Sequence, residues 1–177
     1  MIIHQPAKKF KLGDIFEVQT SQGCFYIQYC NFHERLGYLL RKVTGKFSQA
    51  QTDVQMLANL DTAFYFHYPL HAGLRQKCVR RVGHADLRVQ DQEMPIFLNP
   101  IDKMIIGLDR TPLWEVIEPN GKVYQVKKLS EAQKNLPMWV LLTHTGLEIY
   151  LNNDWSPRKA NLNYELHGTT WMKPEII

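Results

Sequence analysis

Three short apolar runs follow one another near the start of the chain: Gly13 to Val18, Cys24 to Tyr29 and Gly37 to Val43. A Thr-Ser-Gln-Gly stretch, Thr20 to Gly23, separates the first two, and Asn31 to Arg35 separates the second and third. Aromatic and branched runs of this length, punctuated by turn residues, predict an antiparallel β-meander. Such a start commits the chain to a β-rich fold. It supplies no catalytic or cofactor signature.

The same logic extends downstream. Thr62 to Tyr68 is an aromatic strand that Pro69 ends, because proline cannot donate to a ladder. Leu70 to Gln76 reads as a connector, and Lys77 to Val82 returns as a strand. Ser48 to Asn59 fits a short helix or a loop. Pro95 and Pro100 restrict Ile96-Phe97-Leu98 to an edge segment at most, and Met104 to Leu108 reads as a brief strand. Leu113 to Ile117 and Val123 to Val126 flank Pro119-Asn120-Gly121, a hairpin signal that predicts a type I′ turn. Ser130 and Gln133 form a capping box for a helix of about two turns, stopped at Leu136-Pro137. Met138 to Leu142 and Leu147 to Leu151 are predicted as a last strand pair. The remainder, Asn152 to Ile177, reads as polar and turn-rich and holds Trp155 and Trp171.

These elements predict a mainly β, α+β chain: an antiparallel bent sheet with short helices, SH3-like or barrel-like in its N-terminal part. With 177 residues the expectation is one domain over 1–177, with an elaborated second half from about residue 90. The apolar fraction of 45% supports a sizeable core. No apolar run approaches the roughly 20 residues that span a bilayer, and Met1 to Lys9 lacks the order of a signal peptide. Three cysteines without a pairing pattern argue against a disulfide framework. The expectation is a cytoplasmic protein with reduced thiols and no membrane partner. The net charge of +4 is concentrated in residues 1–60 and is weaker than the dense basic stripe of a nucleic-acid binder.

Candidate chemistry is sparse. His67 and His71 have the helical spacing of a metal pair, but Pro69 lies between them and no third ligand stands nearby. Cys24 and Cys30 share one face of a strand, opposite Phe25, Ile27 and Tyr29. A catalytic thiol needs an oriented base, which His33 does not supply from sequence. No nucleophile elbow, phosphate loop or zincin motif is present, so no catalytic residue, cofactor or metal is expected. Arg80 and Arg81 alternate across a strand and form no patch together. The partner-binding candidates are Asp154, Trp155 and Arg158, where an aromatic sits in a charged loop, and His33, Glu34 and Arg35, which join two strands. The competing reading of Trp155 is that its ring folds back over the end of the sheet.

Lys11 to Val18, followed by Tyr26 to Tyr29 and Gly37 to Arg41, resembles the immunity protein 26 family, whose members begin with a similar Gly-Asp-Ile/Val-Phe strand. Leu129 to Gln133 through Leu136-Pro137 and the Asp154-Trp155-Ser156-Pro157 turn also look like family features. The resemblance is clearest over roughly the first 45 residues. It implies a non-enzymatic protein that neutralises a cognate bacterial toxin by binding it, the expected mechanism being steric cover of the toxin's active site. Gly-Asp-Ile also begins the SH3-like barrels of plasmid-maintenance ribonuclease toxins. Those carry an Arg-Pro dipeptide that this chain lacks, so an inactive relative or a nucleic-acid-binding module is the alternative.

Overall fold

In the computed structural model, residues 10–101 and 113–167 are described below. The meander is present: β1 (Asp14–Thr20), β2 (Gly23–His33) and β3 (Gly37–Val43). After α1 (Val54–Asn59) come β4 (Thr62–Tyr68), α2 (Leu70–Arg75) and β5 (Val79–His84). These strands form one five-stranded antiparallel sheet in the order β4-β3-β2-β1-β5. A second sheet joins β6 (Phe97–Pro100), β7 (Trp114–Ile117) and β8 (Val123–Val126) in chain order. Two helices close the described chain, α3 (His144–Asn152) and α4 (Pro157–His167), the latter in the stretch expected to be turn-rich. The protein is therefore mainly antiparallel β with short helices, as the sequence predicts. The first sheet is open, with β4 and β5 at its edges, and is not the closed barrel that a Gly-Asp-Ile start suggested.

Both faces of the first sheet are covered. One carries Phe16, Val18, Phe25, Ile27, Tyr29, Leu40, Phe64, Phe66 and Val79, packed against Leu147, Tyr150, Leu151 and Trp155. The other carries Ile15, Cys24, Tyr26 and Val43 beneath Leu57 and Ala58 of α1. The two faces follow the two-residue period of a strand, and Cys24 lies opposite Phe25, Ile27 and Tyr29 as expected. A third cluster holds the second sheet: Leu98, Trp114, Val116 and Leu129 pack with Tyr164 of α4.

The segment predicted as strand Met138 to Leu142 is extended but joins two sheets instead of pairing with a partner downstream. Leu98 N–H donates to Pro137 O and Trp139 N–H to Leu98 O, while His67 N–H donates to Val140 O and Leu142 N–H to His67 O. Leu147 to Leu151, predicted as strand, is helical. The Thr143 hydroxyl accepts from Gly146 N–H at 3.1 Å, capping α3, and Leu147, Tyr150 and Leu151 stand at helical spacing on its buried side. Leu70 to Arg75 is a short helix, not a plain connector. The capping box at Ser130 forms, with Ser130 N–H to Gln133 Oε1 at 2.9 Å and Gln133 N–H to Ser130 Oγ at 3.3 Å. It opens only a single 3₁₀ turn, Gln133–Asn135, because Leu136 takes the extended conformation that a following proline imposes.

The β7–β8 hairpin also forms, but by another turn. Gly121 N–H donates to Glu118 O at 2.9 Å, and Gly121 alone takes a positive φ, 84°. Pro119 and Asn120 are then the centre of a type I turn, and Gly121 is the left-handed residue after it. The predicted strand at Met104 to Leu108 lies outside the described residues.

Candidate functional site

The β2–β3 end is where three sequence candidates, His33, Glu34 and Arg35, meet a partly exposed aromatic ridge. A bulge at Cys30 shifts the register, so that Tyr29 faces Leu40 but Asn31 faces Leu39. One inserted residue reverses the alternation beyond it. Phe32 is thereby placed opposite Tyr38, on the side of Tyr29 rather than that of Cys24. Phe10, Phe32, Tyr38 and His71 then form a continuous series of ring contacts. Phe10 meets His71 at 4.8 Å and Tyr38 at 5.5 Å, and Phe32 meets Tyr38 at 5.5 Å. The Tyr38 hydroxyl is hydrogen-bonded to His71 Nε2 at 2.8 Å. Phe32 keeps 42% of its surface exposed at the end of this ridge.

His33 shapes the adjoining turn. Its Nδ1 accepts from Arg35 N–H at 3.2 Å and Leu36 N–H at 3.3 Å, which places the ring proton on Nε2. The ring packs on Trp139 at 4.6 Å. Glu34 and Arg35 are left at the exposed tip, and neither forms an ion pair among the described residues.

The other candidate group is arranged differently. Trp155 is only 6% exposed; it stacks on Tyr150 at 4.2 Å and meets Phe64 at 4.8 Å. The fold-back reading is the observed one, so this ring cannot be presented to a partner. Its burial follows from Asp154, whose left-handed φ of 47° turns the chain back toward the sheet. Asp154 is exposed and accepts from Lys159 at 2.8 Å, while Arg158 donates to Glu131 at 2.9 Å. The two candidate groups are not joined by any contact among the described residues.

The potential chemical groups are occupied or buried. His67 faces Trp139 and Phe97, whereas His71 belongs to the Phe10–Tyr38 ridge. Among the described residues, no group of three or more His, Cys, Asp or Glu could hold a metal ion. Burial pushes the Cys30 thiol up to about 12 and raises Cys24 as well, so both are protonated near neutral pH. Arg80 donates to Glu17 and Arg81 to Asp14, so the two arginines are tied to separate carboxylates.

Sequence reasoning missed a polar network between α1 and β4. Arg41 donates to Gln28 Oε1, Leu60 O, Thr62 Oγ1 and Ala58 O. Asp91 accepts from Arg88, Tyr65 and Thr62 at 2.6–2.8 Å. Every contact is internal, and the network stitches α1 and the Val89–Asp91 turn to the sheet. An arginine within the apolar β3 run was the available signal, since a buried charge requires partners.

No protein-family model, no curated protein and no solved structure matches the chain. No helix among the described residues is long and apolar enough to cross a membrane.

Proposed function

We propose that the chain is a non-enzymatic, immunity-type protein that neutralises a cognate bacterial toxin by steric cover. The observation that supports this most is the β2–β3 end: an exposed Phe32 on an aromatic ridge, beside Glu34 and Arg35 without ion-pair partners among the described residues. Aromatic rings and arginine are the side chains that dominate interface energetics, and a pre-formed turn loses little entropy on binding. The resemblance of Lys11 to Val18, followed by Tyr26 to Tyr29 and Gly37 to Arg41, supports a toxin as the class of partner. The nucleic-acid alternative has less support, because Arg80 and Arg81 are already neutralised by carboxylates.

The test is titration calorimetry against the product of the adjacent gene. Phe32→Ala with Arg35→Glu should weaken binding by tenfold or more, about 1.4 kcal/mol, with the melting temperature unchanged. Binding that persists undiminished would remove this surface from the interface. Salt-sensitive RNA binding without protein binding would favour the alternative.

A further inference from the structure

The β8 edge offers a second surface, independent of the β2–β3 ridge and of the reading built on it. Glu118 N–H donates to Lys122 O at 2.9 Å, which sets the phase of the β7–β8 ladder. Bonded and non-bonded pairs alternate along an antiparallel ladder. Tyr124 opposite Val116 and Val126 opposite Trp114 are therefore bonded pairs, while Val123 opposite Ile117 and Gln125 opposite Glu115 are not. The N–H and C=O groups of Val123 and Gln125 consequently point away from β7. No strand pairs with this edge among the described residues. Val123 is 51% and Tyr124 38% exposed, on opposite faces of it.

The charges on β8 and its flanks, from Lys122 to Lys128, are all positive; the one carboxylate at the turn, Glu118 opposite Lys122, accepts from Asn120. Lys122, Lys127 and Lys128 are all exposed, and none makes an ion pair among the described residues. Lys122 lies over the Tyr124 ring at 5.8 Å. The nearest β7 carboxylate, Glu115, accepts instead from Asn99 at 2.8 Å. A second copy of the chain pairing edge to edge would bring two such lysine groups together, so the edge disfavours self-association. A strand bearing carboxylates at its ends would satisfy both the backbone groups and the lysines.

We propose that β8 receives an extended acidic segment of a partner protein as an added antiparallel strand, with the backbone groups of Val123 and Gln125 forming the ladder. The probe is an eight-residue peptide of alternating Val and Thr with two Glu at each end, titrated into ¹⁵N-labelled protein. Its counterpart carries Lys in place of Glu. The Val123 and Gln125 amides should shift saturably with the acidic peptide and not with the basic one. Gln125→Pro removes an outward N–H without touching the β7 ladder and should weaken binding at least tenfold. Lys127→Glu with Lys128→Glu should do the same and transfer preference to the basic peptide; it decides the matter alone if Gln125→Pro fails to fold. No shift at about 1 mM peptide, where binding is worth only about 4 kcal/mol, overturns the proposal. So does acidic-peptide affinity indifferent to Gln125→Pro, or dimerisation that Gln125→Pro abolishes.

Discussion

Arg41 and Asp91 face each other at 3.5 Å with neither side chain exposed to solvent. Burial draws the Arg41 pKa down, and Asp91 opposes that loss. Burial likewise pushes Asp91 up, but hydrogen bonds from Arg88, Tyr65 and Thr62 outweigh it and hold the carboxyl below its usual value. Removing one member of a buried pair strands the other. Asp91→Ala should cost about 3–5 kcal/mol in urea unfolding. Asp91→Asn, which keeps an acceptor for Tyr65 and Thr62, should cost less. Equal losses from the two variants would show that the charge, not the hydrogen bonding, carries the stability.

His67 gives the chain a distinct acid sensitivity. Its ring is buried, and neither nitrogen has a hydrogen-bond partner of good geometry. Burial lowers its pKa to about 4, a backbone contact at Gly37 opposing and His33 reinforcing the shift. The unfolded chain, with an ordinary imidazole near 6.5, then takes up the proton first. The folded form gains full advantage above pH ~6.5 and loses it as pH falls toward 4, in all about 3 kcal/mol. Urea midpoints measured across that window should fall with pH, and His67→Phe should flatten the slope. An unchanged slope would remove His67 as the cause.

Gly121 should resist substitution for a conformational reason alone. An added Cβ would meet nothing within 4 Å, but φ is 84°. Gly121→Val should destabilise by roughly 1–3 kcal/mol, because β-branched residues resist the left-handed region. Gly121→Asn should be milder, since asparagine tolerates it. Thermal unfolding that ranks Val and Asn equally would refute the turn assignment.

Trp155 and Phe32 should separate stability from binding. Trp155→Ala empties the space between Tyr150 and Phe64 and should cost about 3–5 kcal/mol of stability. Phe32→Ala should leave the melting temperature within a degree or two and act on partner affinity. A Trp155→Ala protein of normal stability would contradict the packing around that ring.

The first sheet was legible because its strands are short, apolar and separated by turn residues, and because a strand period of two shows clearly in Cys24 to Tyr29. The second half was less so. Leu147 to Leu151 offers apolar residues that fit either period over so short a run; Thr143 as cap and the Leu147, Tyr150, Leu151 spacing decide for helix. Ser156-Pro157 is a helix-start signal in the stretch from Asn152, with Pro157 at the first helical position. At the candidate surface, Glu34 and Arg35 could be placed at a turn from sequence, but Asn31 to His33, expected in the same loop, extend β2. The bulge at Cys30 could not be placed, as nothing in Tyr29-Cys30-Asn31 marks an inserted residue, and it is the bulge that turns Phe32 toward Tyr38. Trp155 illustrates the converse: a charged neighbourhood along the chain says little about where a ring points once Asp154 reverses the backbone.

The covering of β1 to β5 by Leu147, Tyr150 and Trp155 has a consequence for biosynthesis. A ribosome finishes all five strands long before it makes the residues that shield their Phe16, Phe25 and Phe64 face. Until α3 emerges, Phe10 and the α2 residue Leu70 cover only part of that face in the nascent chain. Truncations ending before Trp155 should leave the rest of it exposed and collect in inclusion bodies.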